Sequence, residues 1–256
     1  MKTIKVYKIG GKLIDDSSNL AAFLSDFSKI KGPKVLIHGG GVVADKYLKS
    51  MGITAQKVDG RRITDLPTME VVSMVYAGLI NKKIVASLQS NGVNALGLSG
   101  ADLNLLPAKK RVHSEIDFGW VGDLNNHSWG ENHAIWSLLE SEVVPVICSI
   151  THDSQGNLLN TNADTIAAQV VKNLSENYEV SFHYCIDFPG VMHDDQVIEE
   201  IEEKGMKQLI KSNVVTDGMI PKLETAFKAA KFTKETTIQH WNQLEQHSAG
   251  TKIKAS

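Results

Sequence analysis

Only two cysteines, Cys148 and Cys185, occur in the 256 residues, and both lie inside apolar, strand-like runs. So few thiols exclude a disulfide framework and a cysteine-built zinc site, and leave two buried, reduced side chains as the expectation. Charge of one sign is not in excess either: 27 Lys and Arg stand against 29 Asp and Glu, for a formal net charge of -2 and a pI near 6.5. Without a basic field or a polybasic block, nucleic acid and anionic lipid are not expected partners. No segment approaches the roughly 20 apolar residues that span a bilayer, and Met1 leads into residues 4–9 without a charged and apolar leader. A cytoplasmic protein with no membrane partner is expected. Internal repeats, low-complexity tracts and flexible linkers are missing as well.

What is present is a chain large enough for a substantial core, with 42% hydrophobic residues, folded as one domain or as two lobes sharing a cleft. Short β-rich runs alternate with amphipathic segments, the pattern of a parallel sheet covered by helices. Strands are predicted at residues 4–9, 35–37, 95–98, 143–149, 179–186 and 236–239, with Pro145 marking an edge or an irregularity. Ser17 and Ser18 are expected to cap a helix carrying Leu20, Phe23, Leu24 and Phe27, with Gly32 as its stop. Val42, Val43, Tyr47, Leu48 and Met51 are read as the apolar stripe of the next helix. The Thr64-Asp65-Leu66-Pro67 signal opens a long helix reaching about residue 90. Residues 111–126 read as a hairpin, 187–190 as a turn, 194–213 as surface helices and loops, and 219–231 as a helix. A division near residues 174–178 would separate a pair of lobes within one compact body.

The chemistry begins with glycines. Gly10-Gly11 and Gly39-Gly40-Gly41 each follow a predicted strand and precede a helix, where side-chain-free residues let backbone N–H groups converge on an anion. Neither loop matches the GxxxxGK[ST] phosphate loop or the dinucleotide GxGxxG pattern. Lys8 ends an apolar strand beside Gly10-Gly11, where an inward ammonium is costly without an anion to meet it; a snorkelling edge lysine is the alternative. Lys222 follows Gly218 and Pro221 at a helix start, where the macrodipole disfavours an unpartnered cation. Asp164 lies in the Asn160-Thr-Asn-Ala-Asp164 run, with helix capping and catalysis both open. Glycine loops, two distant lysines and a carboxylate suit an enzyme that holds a transferring phosphoryl group by electrostatics.

Ten blocks then occur in the order seen in N-acetylglutamate kinases of the amino acid kinase family. They are Lys8-Ile-Gly-Gly11, His38-Gly-Gly-Gly41, Asp59-Gly-Arg-Arg-Ile-Thr64, Asn81-Lys82, Gly97-Leu-Ser-Gly100, Asp117-Phe-Gly-Trp-Val-Gly122, Asn160-Thr-Asn-Ala-Asp164, Asp187-Phe-Pro-Gly190, Asp217-Gly-Met-Ile-Pro-Lys222 and Gly250-Thr-Lys-Ile253. The chain resembles that family over almost its whole length. The resemblance implies a three-layer αβα sandwich around a mainly parallel open sheet. It implies an N-terminal lobe, residues 1–175, for the acylglutamate and for dimerisation, and a C-terminal lobe, residues 176–256, for ATP. The implied reaction moves the γ-phosphoryl group of ATP, carried with Mg²⁺, to the side-chain carboxylate of N-acetylglutamate, in arginine biosynthesis.

By position, the resemblance assigns Lys8 and Lys222 to phosphoryl stabilisation and Asp164 to orienting them. Gly10, Gly11, Gly40 and Gly41 would offer N–H groups to phosphoryl and substrate. Arg62 would clamp the substrate α-carboxylate, and Asn160 would bond the same end. Asp187, Gly190, Gly218 and Met219 would seat the nucleotide, and no protein metal site is implied. Some residues depart from the pattern: Ile186 replaces a hydroxyl residue, and Leu103 stands where glycine is common, which would reshape the acyl pocket. Lys12 and Arg61 are spare cations, read either as solvated surface residues or as suited to a larger acidic acyl group, which makes N-succinylglutamate an alternative substrate. His38 either touches phosphate or fills the sheet end. The apolar helix from Met69 to Leu88 is expected to bury a second face in a homodimer. Another amino acid kinase, or a non-catalytic amino-acid or nucleotide sensor on the same scaffold, are the rival readings; a sensor would be expected to have lost Lys8, Asp164 or Lys222.

Overall fold

The computed structural model describes residues 1–58, 61–125, 128–129, 133–215, 218–244 and 249–255. Eight strands form the central sheet: β1 (Thr3–Ile9), β2 (Lys34–His38), β3 (Ala95–Leu98), β4 (Val144–Cys148), β5 (Glu179–Ile186), β6 (Glu200–Glu202), β7 (Glu235–His240) and β8 (Thr251–Lys254). Their order across the sheet is β6-β8-β7-β5-β1-β2-β4-β3, and only β7 and β8 pair antiparallel. Along β1 the side chains alternate: Ile4 and Val6 enter one apolar cluster, and Tyr7 and Ile9 enter the other. That alternation makes the sheet the middle of three layers, because both faces must be covered.

The helices are α1 (Lys12–Asp15), α2 (Ser17–Lys29), α3 (Gly41–Ser50), α4 (Leu66–Ser90), α5 (His133–Glu140), α6 (Ala163–Leu174), α7 (Glu203–Lys211) and α8 (Ile220–Ala230). The α6 side chains Ile166, Val170 and Val171 share the Ile4 cluster with Leu223 of α8, whereas Phe23 and Phe27 of α2 and Val72 and Ile84 of α4 share the Tyr7 cluster. The chain runs outward from β1 to β2, β3 and β4 on one side, then returns to β5 on the other. β1 and β5 thus flank the point where strand order reverses, and in open α/β sheets ligands bind beyond the strand ends at that point.

Several local expectations are corrected. The cap of α2 is Asp16, whose carboxylate accepts from the Ser18 and Asn19 N–H groups, so Ser17 already belongs to the helix. The α3 stripe buries Ala44 and Leu48, while Val42, Tyr47 and Met51 are exposed. The long helix is present but passes through π-helical turns over Met74–Ile80. It is also long and apolar enough to cross a bilayer by length and composition, contrary to the expectation of no such run. Here it is a core helix packed against α2, β3 and β4, with the polar Asn81 buried in hydrogen bonds.

Pro145 lies inside the sheet, because β4 is flanked by β2 and β3. Pairing to β2 begins only at Val146, so the missing N–H falls where that ladder has not started. The hairpin ladder joins Ala108–Lys110 to Gly122–Leu124, with most of 111–126 as its connecting loop; the described part ends at Asn125. Within 194–213, Glu200–Glu202 is the edge strand β6 rather than surface loop.

Candidate active site

A cavity of about 360 Å³ lies beyond the carboxyl ends of β1 and β2. Its walls are the Gly10-Gly11 and Gly39-Gly40-Gly41 loops and the first turns of α3 and α6. The first N–H groups of a helix have no intrahelical partner, so two helix starts facing one cavity make an anion-accepting wall. Gly11 has φ 56°, a conformation that side chains disfavour. Gly40 is required for a different reason. A Cβ there would lie 2.5 Å from Ile80 Cδ1 and 2.7 Å from Tyr76 Cδ1, so only glycine lets the loop pack on the π-helical turns of α4.

Lys8 points from β1 to the same face as Ile4 and Val6 and is only 8% exposed. Its Nζ lies 2.5 Å from Asp164 Oδ1, in the first turn of α6. Asn162 caps that helix by accepting from the Asp164 N–H at 2.6 Å, which leaves the Asp164 carboxylate for Lys8. Capping was one of its two open roles, and Asn162 takes it. The pair is joined by Tyr184 of β5, whose hydroxyl donates to Asp164 Oδ1 at 2.5 Å and accepts from Lys8 Nζ at 3.0 Å. Burial pushes the Asp164 carboxyl up, but the Lys8 charge and the two hydrogen bonds outweigh it and hold the group ionised, below the usual carboxylate range. Lys8 shows the mirror image: burial lowers its pKa, and Asp164 and Tyr184 raise it above the ordinary lysine value. Both partners shift toward the charged form.

Lys222 lies in the first turn of α8, with its Nζ donating to the Gly218 carbonyl. It does not line the cavity, yet it feels Lys8, Asp164 and Asp187: partial burial and then the like charge of Lys8 hold its pKa below the lysine range, against the two carboxylates. Lys8, Asp164 and Lys222 therefore share one electrostatic neighbourhood. Gly10, Gly11, Gly40, Gly41, Arg62 and Asn160 line the cavity; Asp187, Gly190, Gly218 and Met219 lie outside it. Gly190 has a packing reason of its own, since a Cβ would lie 2.7 Å from Thr251 Oγ1 and from Val197 Cγ1. Ile186 is buried in the core, while Phe188 of the adjoining turn is exposed.

Arg62 is held by Asp45, 2.5 Å from Nη1, and by the Gly41 carbonyl, 3.0 Å from Nη2. Thr64 links it to Asn160: the Thr64 hydroxyl donates to the Arg62 carbonyl at 3.1 Å and accepts from Asn160 Nδ2 at 3.0 Å. The Phe118 to Gly122 stretch ties the two sides together, with Thr64 N–H on the Phe118 carbonyl and Asn160 N–H on the Trp120 carbonyl. His38 does not reach the cavity. It is fully buried, and burial drives its pKa down to about 4. A neutral ring fits its contacts, with Nδ1–H donating to the Gly39 carbonyl at 2.8 Å and Nε2 accepting from Asn81 at 3.1 Å. Of the spare cations, Arg61 lines the cavity and Lys12 does not; Leu103, at φ 55°, is also outside it. Residues Asp59, Gly60 and Asp217 lie outside the described residues.

Sequence reading missed four residues. Tyr184 and Tyr76 look like ordinary strand and helix aromatics, and Tyr76 lines the cavity together with Arg62. Asp45 sits one turn into α3, where i+4 spacing from Gly41 was the available signal. Arg111 lines the cavity from the hairpin loop, its Nε and Nη2 on Asp123 and its buried Nη1 without a hydrogen-bond partner among the described residues.

Residues 3–238 match the amino acid kinase family. A protein from Parabacteroides distasonis named acetylglutamate kinase is 43% identical over 258 residues, covering 99% of this chain and all of that one. Another of that name, from Cytophaga hutchinsonii, is 45% identical over 90% of this chain and 88% of its own. Among solved structures, smu.665 from Streptococcus mutans superposes with a TM-score of 0.80 at 27% identity, covering 99% of both chains. The N-acetylglutamate synthase of Neisseria gonorrhoeae gives 0.82 at 18% identity, over 100% of this chain and 60% of that one, a likeness of fold. With the sheet order, the glycine walls and these matches together, the chain belongs to the amino acid kinase family.

Proposed function

We propose that this protein is an acetylglutamate kinase, transferring the γ-phosphoryl group of ATP to the side-chain carboxylate of N-acetyl-L-glutamate to give the acyl phosphate of arginine biosynthesis. The observation that carries the reading is the Lys8–Asp164 pair at the strand-reversal point, with Lys222 in the same field. The acceptor carboxylate is ionised at neutral pH and needs no general base, so catalysis reduces to alignment and charge neutralisation. As the acceptor oxygen bonds phosphorus and the bond to ADP breaks, negative charge spreads over the phosphoryl oxygens. Lys8 and the glycine-loop N–H groups meet it from one side. Lys222 meets it from the other by leaving the Gly218 carbonyl.

Arg62 keeps N–H donors beyond those engaged by Asp45 and Gly41 for the substrate α-carboxylate, and Asn160 lines the same cavity. The wall is cationic and amide-rich, which suits phosphate oxygens; Mg²⁺ would arrive on the ATP phosphates and neutralise charge there. Residues 1–175 are the acylglutamate lobe and 176–256 the ATP lobe, with Asp187, Gly190, Gly218 and Met219 on the nucleotide side. The protein is cytoplasmic and homodimeric, the second copy covering the exposed Met74 of α4 and Leu96 of edge strand β3; a monomeric mass by light scattering would contradict the dimer. ADP release should be rapid with N-acetylglutamate and negligible with free glutamate or aspartate. Comparable rates on the unacylated amino acids would overturn the reading.

Gly40→Ala is expected to cut kcat/KM by about 10²-fold, because the methyl group forces the loop off Ile80 and Tyr76 and misplaces the N–H groups. Wild-type kinetics in that variant would show that the loop tolerates displacement.

Arg111 favours a second reading, with N-succinylglutamate as the substrate. A buried Nη1 with no partner among the described residues is costly, and a carboxylate on the acyl group would satisfy it. Arg111→Gln should then lower the succinyl-to-acetyl ratio of kcat/KM by about tenfold. A strong acetyl preference in the wild type, unmoved by the substitution, would discard this reading.

A further inference from the structure

We propose that Tyr184 is a positioning residue for the phosphoryl transfer, its hydroxyl holding Lys8 and Asp164 in the geometry that leaves one Lys8 N–H free for the migrating group. The inference rests on the kinase reading above. Lys8 and Tyr184 are register partners across the β1–β5 pair, so both side chains rise from the same face of the sheet where strand order reverses. The hydroxyl touches both members of the ion pair, at 2.5 Å to Asp164 Oδ1 and 3.0 Å to Lys8 Nζ. With the 2.5 Å Lys8–Asp164 contact, these close a triangle of nitrogen, phenol oxygen and carboxylate oxygen. The ammonium also sits 4.5 Å from the centre of the Tyr184 ring.

The direction of the bonds follows from the donors available. An ionised carboxylate accepts only, and an ammonium donates only, so the phenol proton goes to Asp164 and a phenol lone pair receives Lys8. Burial keeps the phenol protonated, with its pKa raised. Lys8 therefore spends two of its three N–H bonds inside the triangle. The third is left for the Gly10 side, where a Cβ on Gly10 would lie 3.2 Å from Nζ, and Lys8 lines the cavity there.

The hydroxyl also alters what the ion pair can do. A lysine ammonium on a flexible four-carbon stem has three rotatable donors and no fixed direction of its own. Here Asp164 Oδ1 is shared between two donors, and the phenol oxygen holds Nζ from the side. Lys8 is thereby fixed where a phosphoryl oxygen can reach it.

Tyr184→Phe keeps the ring and its packing against Phe182 and removes only the hydroxyl. The expected result is about a tenfold fall in kcat, with KM for ATP and for the acylglutamate within about twofold of wild type and a thermal midpoint close to it. In a Lys8→Ala background the same substitution should change the residual rate little, because the hydroxyl acts through Lys8. A Tyr184→Phe enzyme with wild-type kcat would overturn the inference, as would an equal loss in both backgrounds. Failure of the kinase reading would appear separately, as a wild-type protein without ADP release on any acylglutamate.

Discussion

Lys8→Ala is expected to lower kcat by about 10²–10³-fold, with KM for the acylglutamate changed by less than about threefold. In the proposed mechanism the side chain meets charge that develops as the phosphoryl group leaves ADP, so its loss falls on the transition state rather than on the bound substrate. About 10³-fold corresponds to roughly 4 kcal/mol of transition-state stabilisation, a reasonable share for one cation in a cavity walled by helix N-termini. Lys8 lies inside the sheet and is 8% exposed, so the edge-lysine alternative, in which the stem lies along the surface and the head reaches water, does not describe it. Initial-rate kinetics with saturating ATP would check the split. A variant that lost KM and kept kcat would move Lys8 from catalysis to substrate binding.

Asp164→Asn is expected to damage both stability and rate. It leaves the Lys8 ammonium buried with the Tyr184 hydroxyl and no counter-charge, and breaking such a pair from one side costs about 3 kcal/mol. For a chain of this size that is a drop of about 6–12 °C in the thermal midpoint. The kcat should fall by about 10²-fold as Lys8 loses its orientation.

The pH dependence has a defined sign. The Asp164 pKa is depressed in the folded state, so its stabilisation is present above the unfolded value and disappears as pH falls through the folded one. The Lys8 pKa is raised, so its contribution is present below the unfolded value and is lost only as pH climbs through the folded one. The gap in midpoint between wild type and Asp164→Asn should therefore stay constant from about pH 5 to 9 and narrow below about pH 4. A gap that widened on acidification would reverse the assignment.

Much of the candidate site was legible because its residues are locally anomalous. A lysine ending an apolar strand beside two glycines is explained by neither packing nor solubility, and the same holds for Lys222 beside Pro221 in the first turn of a helix. The sheet and most of its strands followed from alternation and turn residues. What stayed hidden depends on partners far along the chain. Tyr184 is an ordinary strand aromatic until the β1–β5 register puts it opposite Lys8. Arg111 belonged to an alternating stretch read as a hairpin, but the ladder starts three residues earlier and leaves it in the loop facing the cavity. The exposed side of α3 reads as core by spacing alone, since Val42, Tyr47 and Met51 repeat as buried residues do. The π-helical turns of α4 set Tyr76 against Gly40, and helical periodicity carries no sign of them.

A crystal structure of the protein with ADP, magnesium, N-acetylglutamate and a planar metal fluoride tests most directly whether two lysines and one acid act on a single migrating group. The fluoride should lie between the Lys8 and Lys222 ammonium groups, with Lys222 turned from the Gly218 carbonyl and Asp164 still on Lys8. A fluoride bound beyond reach of either lysine, with Lys222 still on Gly218, would contradict it.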